Sequence, residues 1–209
     1  MPLQNRVDPR GAIIRSGARG NLMGNRGGVI HDEKQTIVRS FKGQRWITCL
    51  LDFKGRRRTV MTPGLYTELF FLDEAVALAA GHRPCAECRR ERFNNFKEAW
   101  LRGASGEARV PLLAPEIDAE LHRARVDSLG RKVTYQARLN TLPDGCFVQV
   151  GGLCFAVWND ALLLWSPEGY IEKSMRPGSL VVTVLTPAPT VHCIRLGYKP
   201  VLHESSLAL

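Results

Sequence analysis

The sequence predicts an α+β fold, with strands followed by helices in the N-terminal half and a second, β-rich half. Three observations predict its architecture. Short runs of β-branched and aromatic residues, bounded by glycine, proline and aspartate, mark strands in both halves. Two segments, residues 88–100 and 115–125, carry apolar side chains at helical spacing. The strand and helix signals come in blocks, without the regular alternation that builds a parallel α/β sheet.

In chain order, residues 1–34 are rich in glycine and arginine, as in GARGNLMGNRGG, and predict a loop: an ordered anion-binding nest or a flexible arm. TIVRSF and RWITCLLDF read as strands, the second joined through the turn Lys54–Gly55 to RRRTVM. After the turn Met61–Gly64, YTELFFL predicts a further strand. Asp73 is placed to N-cap a helix over EAVALAA, and Gly81 to end it in a left-handed conformation. In CRRERFNNFKEAW, Phe93, Phe96 and Trp100 predict a helix with one buried face. GASGEARVP is the linker, which divides the chain into residues 1–104 and 105–209.

Pro115 suits the first position of the next helix, whose apolar stripe is Ile117, Leu121 and Ala124. CFVQV and LCFAVW flank Gly151–Gly152, a two-residue hairpin turn. ALLLW and LVVTVL predict more strands, and TVHCIRL, closed by Gly197, a short last helix.

The formal charge of +9 and pI near 9.6 favour polyanionic partners, because clustered guanidiniums suit phosphate oxygens. No apolar run approaches the roughly 18 residues of a membrane span. The first residues lack the basic-then-apolar layout of a signal peptide, so a cytoplasmic protein with reduced thiols is expected. Six cysteines then mean metal ligands or core residues rather than disulfides, and Cys146, Cys154 and Cys193, without ligand-like spacing, read as core. Tyr170 and Tyr198 follow glycines, where packing of a turn against the core competes with stacking on bases. The glycine-rich loop is no nucleotide-binding P-loop, because no Gly-Lys-Ser/Thr follows it.

The segment GHRPCAECRR, residues 81–90, carries the chemistry. Its Cys-x-x-Cys pair follows a tight turn, which lets two thiolates reach one tetrahedral ion, and zinc is the usual occupant. A redox pair or unrelated thiols are the other readings, although a redox pair belongs in a βαβ setting. The longer segment FFLDEAVALAAGHRPCAECRR resembles the second half of the Ada-type metal-binding domain of bacterial alkylation-repair and regulatory proteins. The matching residues are Phe71, Glu74, Ala75, Ala80, Gly81, Arg83, Pro84, Cys85 and Cys88, within residues 66–100.

The resemblance implies a small sheet-plus-helix domain in which Cys85 and Cys88 bind zinc and which contacts DNA phosphates. That family has two more cysteines upstream, one of which accepts a methyl group. Only Cys49 stands upstream here, so a ligand of another type is expected, and His31 is favoured over His82, which holds the family's aromatic position. The expected site is structural, with Cys49, Cys85, Cys88 and His31 as ligands and no open position for water.

Arg26, Lys54, Arg56, Arg57, Arg58, Arg89 and Arg90 are the expected phosphate contacts. The functional expectation is a zinc-binding, nucleic-acid-binding protein associated with DNA repair, with DNA or another nucleic acid as partner and no membrane. A metal-dependent nuclease or other nucleic-acid-processing enzyme is the alternative, with His31, Asp32 and Glu68 near its metal. A zinc-stapled protein-interaction domain is the third reading. No catalytic residue is assigned.

Overall fold

The computed structural model describes residues 1–56, 59–103 and 112–209. The first 34 residues form strands instead of a loop or arm: β1 (Gln4–Val7), β2 (Ile13–Arg15) and β3 (Leu22–Arg26). Glycine serves close backbone approach here. A Cβ on Gly24 would lie 2.2 Å from the Ile47 carbonyl oxygen of the neighbouring strand, so only glycine fits that register. Glycine and arginine thus signalled pairing at a crowded position, which composition alone does not separate from a loop.

β4 (Trp46–Cys49) lies against β3, and β5 (Leu69–Phe71) takes its other side. Residues 36–41 are not a strand; Ile37 makes only an isolated bridge to His31. Past Cys49 the chain bends into the turn Lys54–Gly55, where both φ angles are positive. Thr59–Met61 form no strand, while Arg57 and Arg58 lie outside the described residues.

Helix α1 (Glu74–Ala79) starts as its sequence requires, with the Asp73 carboxylate accepting from the Val76 amide at 2.8 Å. Gly81 follows with φ +88°, and a Cβ there would come within 2.7 Å of Arg125 Cδ. The short β6 (Arg83–Pro84) then pairs in parallel with β4 and completes a mixed sheet in the order β2-β1-β5-β3-β4-β6.

Helices α2 (Arg90–Gly103) and α3 (Ala114–Arg125) bury the expected faces: Phe93, Phe96 and Trp100 on one, Ile117 and Leu121 on the other. A second sheet comprises β7 (Tyr135–Arg138), β8 (Phe147–Val150), β9 (Leu153–Trp158), β10 (Ala161–Ser166), β11 (Gly169–Met175) and β12 (Val181–Val184). It is antiparallel throughout, ordered β11-β10-β9-β8-β12-β7. The Gly151–Gly152 turn has φ +55° and +82°, as a primed two-residue hairpin needs. Helix α4 (Ala188–Arg195) packs on α2 and α3. No helix among the described residues is long and apolar enough to cross a membrane.

The expected boundary at 104/105 falls outside the described residues, and both hydrophobic cores draw on both sides of it. One joins Leu78, Phe96 and Trp100 to Ile117, Val148 and Ile194. The other joins Phe71, Leu72 and Val76 to Phe147, Ala156 and Leu163.

A buried polar knot adds a further tie. Glu74 accepts from Arg89 at 2.7 Å, from the Tyr198 hydroxyl at 2.6 Å and from the Val201 amide at 3.1 Å, and it also pairs with Arg92. Asp73 accepts from the Tyr170 hydroxyl at 2.7 Å and the His203 amide at 2.9 Å. Both tyrosines therefore pack turns against the core and are not free to stack on bases. Removing one partner of a buried ion pair leaves an uncompensated charge, at a cost of about 3 kcal/mol or more. Glu74→Gln is accordingly expected to lower stability in urea unfolding by about that amount. A loss below about 1 kcal/mol would show that the knot does not hold the two halves together.

Candidate metal centre

Three sulfurs converge where β4 ends and the knuckle begins. The parallel pairing of β4 with β6 sets Thr48 beside Pro84, so Cys49 and Cys85, each one residue further on, become neighbours. The Cys85 amide donates to the Thr48 carbonyl at 2.8 Å, fixing the start of the knuckle. Cys88 returns on the following turn, and the Sγ atoms of Cys49, Cys85 and Cys88 all lie within 4.8 Å of one another. This group can hold a metal ion. Cys85 is buried, whereas Cys49 and Cys88 are half-buried.

The electrostatics favour a thiolate. The Cys85 thiol is drawn down to about 5, first by a hydrogen bond from Cys49, against the effect of burial, and then by the Cys88 and Glu87 amides. The Glu87 amide stands 3.4 Å from Cys85 Sγ. Cys49 is pushed up by the same hydrogen bond and by burial; Cys88 is pushed up by burial first. The hydrogen bonds among the three sulfurs thus favour a thiolate at Cys85, and an ion entering the group would displace the remaining thiol protons. Three thiolates suit zinc or other thiophilic ions and not calcium or magnesium, which take oxygen ligands.

His31 does not join them. It is buried against the Met61–Gly64 turn, with Nδ1 2.6 Å from Thr67 Oγ1 and Nε2 3.3 Å from the Thr62 carbonyl. Both ring nitrogens are engaged in holding that loop, so the expected four-ligand set is corrected to three cysteines among the described residues. Asp32 is used locally, accepting from the Lys34 and Thr36 amides, and Glu68 accepts from the Met61 amide. The His31, Asp32 and Glu68 group does not form a metal cluster. His82 is fully buried between Phe71 and Trp46, as an aromatic side chain would be, and is no ligand.

The expected phosphate contacts divide. Lys54, Arg56 and Arg90 are exposed around the knuckle, and Arg56 reaches Glu87 at 2.9 Å, which draws its loop onto the cysteines. Arg89 is not a surface cation: it is buried between Glu74 and Thr48 Oγ1, 2.7 and 2.9 Å away. Arg26 is also buried, with its guanidinium 4.3 Å from the centre of the Trp46 ring. Arg57 and Arg58 lie outside the described residues. Cys146, Cys154 and Cys193 are buried core thiols, as expected; burial pushes Cys154 up to about 11 and Cys193 to about 12, and raises Cys146 as well.

Comparison with family models, with curated proteins and with solved structures finds no match for this chain.

Because an ion held here would rest on two half-buried sulfurs and one buried one, removal of one is expected to open the group. Cys85→Ser should lower bound metal below one equivalent per chain and reduce stability together with it. Elemental analysis beside thermal unfolding checks this; unchanged metal content in the variant would overturn the assignment.

Proposed function

We propose that the protein binds zinc through Cys49, Cys85 and Cys88 and binds nucleic acid through the cationic surface around that centre, in a DNA-repair setting. The observation that carries the reading is the convergence of the three sulfurs at a knuckle flanked by exposed cations. Zinc suits the thiolate set, and its role is to tie β4 to the start of α2. The chain's own cations would do the binding. Lys54, Arg56 and Arg90 sit on segments that the knuckle holds together, so their charges act as one patch on a phosphate backbone. The net charge of +9 supports a polyanionic partner. The repair setting is supported by the resemblance of residues 66–100 to the Ada-type domain.

The test is binding of zinc-loaded protein to duplex and single-stranded DNA across a salt series. Each neutralised phosphate contributes a slope of about −0.9 in log K against log salt on duplex DNA. Arg56→Ala with Arg90→Ala is expected to weaken binding to all sequences alike and to flatten the slope by about 2. A salt-independent interaction, or an unchanged slope in the double variant, would exclude this surface. Cleavage of the DNA on addition of Mg²⁺ or Mn²⁺ would favour the processing enzyme instead.

A further inference from the structure

Trp46 and Cys49 occupy the two ends of β4, roughly 10 Å apart along the strand. At the Trp46 end lies a cavity of about 190 Å³, whose wall includes Gly11, Arg26, Ser40, Arg125 and Lys132. Three cationic side chains therefore meet at one small space. Arg26 is 3% exposed and Arg125 1% exposed, and Lys132 is half-buried.

Among the described residues, none of these cations has a carboxylate of its own. Arg26 donates to the carbonyls of Gly11 at 2.8 Å and Ser40 at 3.3 Å, and to His82 Nε2 at 3.4 Å. Arg125 donates to the Gly81 carbonyl at 2.8 Å and to that of Gln44, and lies 3.1 Å from His122 Nδ1. Lys132 donates to the Ala79 carbonyl at 2.6 Å. Among the described residues, no acidic oxygen lies within 4.0 Å of their charged nitrogens. The acids that act on them from further off are already committed: Asp8 pairs with Arg10 at 3.5 Å, and Asp118 holds Arg83 through both oxygens at 2.8 and 2.7 Å. Arg125 Nε, a buried atom of a residue in the cavity wall, has no hydrogen-bond partner among the described residues.

Buried charge without a counter-charge is costly, and three such groups around one cavity describe a site whose opposite charge comes from outside the chain. We propose that this cavity binds a phosphate group, either inorganic phosphate or the terminal phosphomonoester of a nucleotide or nucleic-acid strand. Guanidinium forks match the paired oxygens of a tetrahedral oxyanion, and a dianion offsets more of the triple charge than a carboxylate does. The volume fits. It is several times the roughly 30 Å³ share of a water molecule, yet below the roughly 300 Å³ at which pockets for whole drug-sized ligands begin.

Burial also pulls Lys132 down to about 7, and Arg26 and Arg125 down to about 9. Burial is the first cause of all three shifts, and an anion in the cavity would oppose them.

The test does not depend on the nucleic-acid reading above. Full-length, zinc-loaded protein is titrated calorimetrically with inorganic phosphate, a nucleoside 5′-monophosphate, and one oligonucleotide carrying either a 5′-phosphate or a 5′-hydroxyl. Thermal unfolding is followed in phosphate and in sodium chloride of equal ionic strength. Saturable one-to-one phosphate binding, with a rise in Tm beyond that in chloride, is expected. Preference for the phosphorylated oligonucleotide would identify a strand end as the source, and binding of inorganic phosphate alone would identify the free ion.

Lys132→Met removes a desolvated charge, so it is expected to stay folded and to lose at least tenfold in phosphate affinity, while Lys132→Arg retains binding. Stabilisation by phosphate no greater than by chloride, or undiminished affinity in a folded Lys132→Met, would overturn the proposal. If that variant does not fold, the wild-type titration decides.

Discussion

The rest of the structure depends on how two adjacent carboxylates, Asp73 and Glu74, are satisfied inside the protein. Neither could remain charged in an apolar core alone, and together they gather two tyrosine hydroxyls, two arginines and three backbone amides. The arrangement decides where the cysteines go. Arg89 follows Cys88 directly and spans from Glu74 to Thr48, the residue before Cys49. One guanidinium thus links the helix start, the knuckle and the strand that carries the third sulfur. The same carboxylates hold residues 198–203 of the far end of the chain, which closes one core over the other.

Much of this was legible locally. The cap at Asp73, the left-handed Gly81, the paired glycines of the hairpin and the helical stripes each follow from a few neighbouring residues, and each stands where the spacing put it. The Cys-x-x-Cys knuckle was equally plain, and Cys49 joined it because only one further cysteine stood upstream. What sequence did not disclose is long-range pairing. β1 bonds to a strand more than sixty residues away, and no local pattern in QNRV announces it.

Arginine is the sharper case. Arg89 and Arg26 look like the surface cations Arg56 and Arg90, since a guanidinium carries no sign of whether it will meet a phosphate, a carboxylate or a ring. Their partners, Glu74 and Thr48 for one and Trp46 and Gly11 for the other, are set by the fold. His31 failed as a ligand for a related reason. Nearness in sequence to a strand says nothing about which side of the intervening turn a side chain reaches. The cationic cavity was hidden altogether, because Arg26, Arg125 and Lys132 come from segments about a hundred residues apart.

β4 also separates two chemistries. Trp46 and Thr48 are buried on one face, while Ile47 and Cys49 are half-buried on the other, as period-two alternation dictates. Three sulfurs gather at one end and three cationic side chains at the other, so one short strand carries two groups of opposite character.

The parallel contact between β1 and β5, and the knot that waits for Tyr198, Val201 and His203, have a consequence for how the chain reaches this state. Loop-closure entropy must be spent on segments separated by sixty to one hundred and thirty residues before the buried acids find their donors. Such non-local topology slows folding, because the donors to Asp73 and Glu74 on the 198–203 segment are the last to be made. Until those donors are in place only water can satisfy the two acids, so the residues that tie the finished fold together also keep its core from drying before the chain has closed.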